Sequence, residues 1–154
     1  MPITNIRMMT ATVSAATEDR RRRVHGRAHL LCFACGESAG GGLGLRFHVE
    51  DDGVVATDWN CPATYQGYAG VLHGGVIATL LDSAMVHALF ARGIAARTAE
   101  LRVRYRHPVR TDESVVITAR LGTQIGPLYV LDANLGQHGT VCATARAKFM
   151  AGAD

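Results

Sequence analysis

The segment Val76 to Phe90, "VIATLLDSAMVHALF", is the one run in this chain long and apolar enough to form a buried helix. The stretches after it alternate apolar and polar residues instead. They run from about Thr98 to Val109, Ser114 to Leu121, Tyr129 to Leu135 and Val141 to Met150, with turn signals at Thr111-Asp112, Gly126-Pro127 and Gly136 to Gly139. Upstream, "LGLRFHVE" sets Leu43, Leu45, Phe47 and Val49 on one face and Arg46, His48 and Glu50 on the other, and "EDDG" turns the chain into "VVATDWN". The order is two strands, one long helix, then four strands. Short links favour antiparallel pairing, and a lone apolar helix beside such a sheet can be buried only across one face. The spacing therefore predicts an α+β fold: a curved antiparallel sheet wrapped around one long central helix that Gly93 stops. An open sheet has edges to hide, so pairing of two subunits is expected.

At 154 residues, 48% hydrophobic and 19% charged, the chain has the size and composition of one globular domain with a real core. A net charge of +3 is mild and 6% aromatic content is thin for stacking on bases, so nucleic acid is not an expected partner. No apolar run approaches 18 residues, since Asp82, Ser83 and His87 interrupt the longest, and no membrane span is expected. The start, "MPITNIRMMTATVSAATEDRRRR", lacks a continuous apolar core and a small-residue cleavage site, which predicts a cytoplasmic protein whose Cys32, Cys35, Cys61 and Cys142 are reduced thiols.

Residues 1–28 are polar and then arginine-rich, and read as an N-terminal arm, partly helical or disordered, preceding a domain over 29–154. Within the arm, Thr17 can cap a short solvated helix that carries Glu18 and Asp19 in its first turn and Arg20 to Arg23 at its end, before Gly26 stops it.

On a helical wheel, Val76, Ile77, Leu80, Leu81, Ala84, Met85 and Ala88 form a broad apolar arc, with Thr79, Asp82, Ser83 and Val86 opposite. Asp82 thus faces whatever covers the helix from the other side, and in a dimer that is a cleft at the interface. Gly74 and Gly75 leave the first N–H groups of the helix open to an incoming oxygen, at the positive end of the helix dipole. Asp82 is about 12 Å further along the axis. A substrate using both groups must therefore cross between subunits, taking the glycine of one and the aspartate of the other.

The stretch "YAGVLHGGVIATLLDSAM", with "AELRVRYRHPVRTDESVVITARL" downstream and "CFACG" and "GLGLRF" upstream, resembles the hotdog-fold acyl-CoA thioesterases, in particular the phenylacetyl-CoA-thioesterase-like (PaaI-like) group. The resemblance runs from about Cys32 to Met150, and its most specific part is His73-Gly74-Gly75 with an acidic residue nine positions after the histidine. It implies hydrolysis of a thioester to a carboxylate and free coenzyme A. Asp82 would be general base or nucleophile, Gly74 would polarise the carbonyl, His73 would shape the helix entrance, and Thr98 would help place the attacking water. Gly75 and Gln66 would adjoin the substrate. Where relatives often carry an asparagine this chain has Gly67, a role that Gln66 could take. A thioester carbonyl is already electrophilic, so one carboxylate and one polarising donor suffice, and no cofactor beyond the coenzyme A of the substrate is implied. A homodimer is expected from the sheet edges, with a tetramer as a further possibility because strand edges and helix backs both offer second interfaces. A non-enzymatic acyl-CoA-binding hotdog protein and a hotdog hydratase are the alternatives.

Arg102, Arg104 and Arg106 share one face of a strand, opposite Leu101, Val103 and Tyr105. They form either a solvated outer face or a landing surface for coenzyme A phosphates, with Arg104 and Arg106 the named candidates. "CFAC" is a single Cys-x-x-Cys, and zinc would need two more ligands, with Cys61 and a histidine as the candidates. No metal is expected there. Asp82 and His87 are spaced as in hotdog hydratases, but five residues of regular helix turn them about 140° apart, so His87 reads as a packed or capping residue.

Overall fold

The computed structural model describes residues 4–37, 42–50 and 52–152, with side chains described from residue 15 onward. Its elements are helix α1 (Thr4–Ala28), strands β1 (His48–Val49) and β2 (Val55–Trp59), helix α2 (Gly74–Phe90), and strands β3 (Arg97–Tyr105), β4 (Val115–Ile125), β5 (Leu128–Gln137) and β6 (Thr140–Met150). The six strands form one sheet in the order β1-β2-β4-β5-β6-β3, every pair antiparallel. The sheet wraps α2, as expected of a hotdog fold, and contacts it from β2, β3, β4, β5 and β6.

The inner face explains how a helix fits so close to the sheet. Val115, Ile117 and Ala119 of β4, Leu131, Ala133 and Leu135 of β5, and Ala143, Ala145, Ala147 and Phe149 of β6 are all buried. The alternation is that of a sheet with one covered face, and the run of alanines on β6 leaves room for Leu80, Leu81, Ala84 and Met85 of the helix. The helix ends as its sequence predicts. Gly93 takes φ +80°, its N–H bonds the Phe90 carbonyl at 2.9 Å, and the Ile94 N–H reaches back to Leu89 at 3.0 Å, which is the Schellman arrangement.

Two expectations need correction. The hairpin predicted over 43–59 pairs only at His48 and Val49, although Leu43, Leu45 and Phe47 are buried on the expected face. The Leu43 and Leu45 N–H groups instead bond the carbonyls of Phe33 and Ala34 at 2.8 and 3.0 Å, so the cysteine loop takes the place of a strand neighbour. Of the predicted turn, Asp51 lies outside the described residues.

The arm, in turn, is longer than expected and docked along one side, while most of its described side chains are exposed. It is one continuous helix from Thr4 that passes through Thr17 and Gly26, where a short capped helix was expected. Its second half packs on α2. The Arg21 guanidinium, 6% exposed, donates to Nδ1 of His87 at 2.9 Å and to Glu18, and the Glu18 carboxylate also accepts the Val49 N–H of β1 at 3.0 Å. Hence Ser83, Val86 and His87, on or beside the polar arc of the wheel, are buried. His87 stacks on Phe47 with ring centroids 4.3 Å apart.

Burial, reinforced by the Arg21 guanidinium and by His25 and His29, pushes the His87 pKa down to about 2. The unfolded chain takes up this proton near pH 6.5 while the folded protein stays neutral, so the unfolded state binds more protons at pH values between these limits. Stability is therefore expected to fall as pH drops below about 6.5, and His87→Gln should flatten that slope in urea titrations run at several pH values. Parallel profiles for the two proteins would contradict the assignment.

Candidate active site

His73 sits at the N-cap of α2, and its Nδ1 accepts the Gly75 N–H at 2.9 Å. A Cβ on Gly75 would stand 3.1 Å from the His73 ring, so the cap itself favours glycine there. The Val76 and Ile77 N–H groups bond the His73 carbonyl at 3.0 and 3.1 Å. That leaves the Gly74 N–H as the helix-start donor with no acceptor among the described residues. Of the two glycines, Gly74 is the one that can meet a substrate oxygen, while Gly75 is held by the cap.

The loop that delivers His73 is braced by its own bonds. The His73 N–H bonds the Tyr65 carbonyl at 3.0 Å, the Leu72 N–H bonds Val109 at 2.8 Å, and Gly70 turns with φ +74° while donating to Oε1 of Gln66 at 3.0 Å. The Gln66 amide oxygen thus takes part in holding the turn. Gly67 lies against His73, where a Cβ would meet the ring at 3.4 Å. Of the apolar residues around the loop, Leu72 and Met85 belong to the core, whereas Tyr68 is exposed.

Asp82 is half-buried on α2, and its Oδ1 accepts the Thr98 hydroxyl at 2.8 Å. A β-bulge makes this contact possible. On β3, Thr98 pairs with Phe149 and Glu100 with Lys148, so two steps on β3 match one on β6. The extra residue changes the parity of the strand and puts Thr98 on the face of Leu101, Val103 and Tyr105, the one turned toward the helix. Burial raises the Asp82 pKa above its ordinary value, and the Thr98 hydrogen bond and the charge of His29 partly offset this.

The same strand reaches the start of α2. The Tyr105 hydroxyl donates to the Gly74 carbonyl at 2.8 Å, and its ring lies 3.5 Å from where a Gly74 Cβ would be. Strand β3 therefore runs antiparallel along α2, touching its start with Tyr105 and Asp82 with Thr98. Tyr105 had entered the sequence reading only as a partner in the arginine alternation. Its period-two position marked it as inward-facing, but its place over the helix start depends on how the sheet closes.

Arg102 and Arg104 are exposed on the opposite face of β3, and Arg106 is exposed just beyond its end. Arg102 stands 3.8 Å from Glu100, whereas neither Arg104 nor Arg106 has a side-chain hydrogen bond or ion pair among the described residues. His87 is sealed by Arg21 and Phe47 and has no partner at Nε2 among the described residues, so the structure does not join it to Asp82. The buried thiols of Cys35 and Cys61 are pushed up to about 12 by burial, with Cys32 adding to the effect on Cys35, and neither is a nucleophile at neutral pH.

This arrangement defines a class: a hotdog-fold protein with a glycine helix start and a half-buried carboxylate on the same helix. Residues 69–124 match the family model of the thioesterase superfamily, which bears out the resemblance read from the same stretch. Over 54 residues the chain is 39% identical to acyl-coenzyme A thioesterase 13 of Mus musculus, a match that spans 34% of this chain and 39% of that protein. Among solved structures, the PaaI protein of the E. coli phenylacetic acid degradation operon superposes with a TM-score of 0.75 at 18% identity, covering 92% of this chain and 96% of that one. A hypothetical thioesterase of Streptococcus pneumoniae TIGR4, solved with coenzyme A, superposes with a TM-score of 0.65 at 19% identity over 70% of this chain and 87% of that one. No helix among the described residues is long and apolar enough to cross a membrane.

Replacing His73 with alanine removes the cap and leaves the Gly75 N–H open. This should cost about 1 kcal/mol of stability by urea denaturation, and His73→Asn, which can still cap, should recover most of it. Equal stability of wild type and His73→Ala would show that the cap is idle.

Proposed function

We propose that the protein hydrolyses acyl-CoA thioesters, with Asp82 as general base and the Gly74 N–H as the polarising donor. The observation that carries this reading is the Asp82–Thr98 pair at 2.8 Å on a helix whose first N–H is left open. In the proposed step the Gly74 N–H, backed by the positive end of the helix dipole, draws electron density onto the thioester oxygen. Asp82 takes a proton from a water that Thr98 helps to place, and the water oxygen bonds the carbonyl carbon. The tetrahedral adduct collapses with cleavage of the carbon–sulfur bond, releasing the carboxylic acid product and coenzyme A, whose sulfur takes up the proton held by Asp82. Asp82 acting directly as nucleophile would give the same products through an anhydride.

The match of residues 69–124 to the thioesterase superfamily supports the reaction class, and the coenzyme A held by the pneumococcal relative supports the substrate class. Arg104 and Arg106, free of ion pairs among the described residues, suit the phosphates of the coenzyme. Because Gly74 and Asp82 are about 12 Å apart along one helix, the working site combines Gly74 of one subunit with Asp82 of another, and the protein acts as a homodimer or a higher assembly of dimers.

Thiol release from aryl and aliphatic acyl-CoA substrates should fall at least about a hundredfold in kcat/KM for Asp82→Ala, equivalent to about 2.7 kcal/mol. Undiminished turnover would remove the carboxylate from the mechanism. Asp82 works ionised, so activity falls as pH drops through its raised pKa. Thr98→Val removes a bond that holds this pKa down, and the acid limb of the kcat/KM profile should move to higher pH; an unmoved limb would detach Thr98 from the base.

Gly74→Pro offers a cleaner test of the donor, because the first helical position tolerates proline while losing its N–H. Activity should fall about 10²- to 10³-fold in a protein that still folds. Mixing Gly74→Pro with Asp82→Ala subunits should then restore turnover, since a mixed pair contains one intact cross-subunit site. No recovery from verified mixed dimers would place both groups in the same subunit's site.

A further inference from the structure

The cysteine loop brings together more than its sequence spacing promised. On sequence grounds its Cys-x-x-Cys had Cys61 and an unspecified histidine as the candidates for two further ligands, and Cys61 is buried elsewhere with its Sγ 3.9 Å from the Trp59 carbonyl. What the fold adds is His29, the residue just beyond α1. Ligand atoms of His29, Cys32 and Cys35 all lie within 4.8 Å of one another, and His29 Nδ1 is 3.8 Å from Cys35 Sγ. A tetrahedral ion with nitrogen at about 2.0 Å and sulfur at about 2.3 Å holds those two atoms about 3.5 Å apart. The observed separation is long for a hydrogen bond to sulfur and close to that spacing.

The backbone is wound for the same purpose. Cys32 N–H bonds the His29 carbonyl at 3.1 Å, Gly36 N–H bonds Cys32 at 2.7 Å, and Glu37 N–H bonds Leu30 at 3.0 Å. A Cβ on Gly36 would lie 2.5 Å from the Cys32 carbonyl oxygen and 2.7 Å from that of Leu30, so only glycine lets the chain close this tightly around the two sulfurs. His25 Nε2 bonds the Cys35 carbonyl at 2.8 Å and fixes the second cysteine from outside.

A second cluster, His25, Cys35 and His87, competes for Cys35. It is the poorer site. His87 Nδ1 accepts from the Arg21 guanidinium, which places the hydrogen of the neutral ring on Nε2 and leaves His87 no lone pair for a cation.

We propose that His29, Cys32 and Cys35 bind one zinc ion, with water in the fourth position. Binding replaces the two thiol protons, which leave to solvent, with two Zn–S bonds, and the two thiolates neutralise the ion. No oxidant or reductant is needed. The ion would tie the end of α1 to the loop that pairs with residues 43–45, joining the arm to the domain at the back of α2.

The test is a cobalt titration of the full-length reduced protein, freed of metal by a chelator, with zinc content measured before stripping. One cobalt per chain with sulfur-to-cobalt charge transfer and tetrahedral d–d bands is expected, displaced by zinc. Cys32→Ser should lose or shift the charge-transfer band. His29→Ala, which keeps both thiols, should weaken cobalt binding at least about tenfold, the low end of what even an outer partner of a metal ligand is worth, and Cys61→Ser should leave the titration unchanged. The wild-type spectrum decides the matter even where a variant folds poorly. Absence of sulfur charge transfer, a spectrum insensitive to His29→Ala, or isolation of the native protein with Cys32 and Cys35 joined as a disulfide would overturn the proposal.

Discussion

Everything in this molecule depends on the burial of α2 from both sides. The sheet covers the arc of Leu80, Leu81, Ala84 and Met85, and α1 covers Ser83, Val86 and His87. A helix enclosed in this way cannot turn about its axis without driving a polar side chain into the core, where an unpaired group costs on the order of 1–3 kcal/mol. The direction of Asp82 is therefore fixed by apolar packing rather than by the carboxylate's own bonds. The Thr98 hydrogen bond then tunes a group whose position is already set.

Strand β3 carries the second constraint. With only β6 beside it, it is an edge strand, yet it supplies both Thr98 to Asp82 and Tyr105 to Gly74. A regular strand could not do this, because residues 98 and 105 are an odd number apart and would point to opposite faces. The bulge between Thr98 and Glu100 resolves the parity. An edge strand tolerates such an irregularity better than a central one, since only one neighbour has to accommodate it. The outward face of the same strand leaves Arg104 exposed, so one strand serves the helix on one side and solvent on the other.

Much of this was legible in the sequence, and the parts that were not share a cause. Period-two patterning located the strands after α2, the apolar run and Gly93 bounded the helix, and His73-Gly74-Gly75 with Asp82 pointed to the candidate site. The packing of α1 on α2 was not legible because Arg21, His25 and Glu18 look like ordinary surface residues. Their partners, His87, the Cys35 carbonyl and the Val49 N–H, lie 66, 10 and 31 residues away, and no local pattern records such pairings. Leu43 to Phe47 kept the burial alternation of a strand without its ladder, since alternation reports which face is covered and not which chain takes the N–H groups. The bulge at Thr98 and the placement of Tyr105 are likewise properties of register, which the pleat alone does not specify.

The start and the middle of α2 face opposite electrostatic demands, and in the proposed mechanism this is why a single helix can hold both groups only by sharing them between subunits. A polarising donor works best at the first turn, where free N–H groups and the dipole coincide and the field fades within a turn. A general base placed in that turn would be held too firmly ionised by the same field, lowering its affinity for the proton it must take. Set two turns further along, Asp82 escapes the dipole and has its pKa raised by burial, which makes it the stronger base. The separation that gives each group its chemistry is also what puts them out of reach of one thioester carbon within a single chain, so the proposed assembly of subunits is a requirement of the electrostatics as much as of the sheet edge.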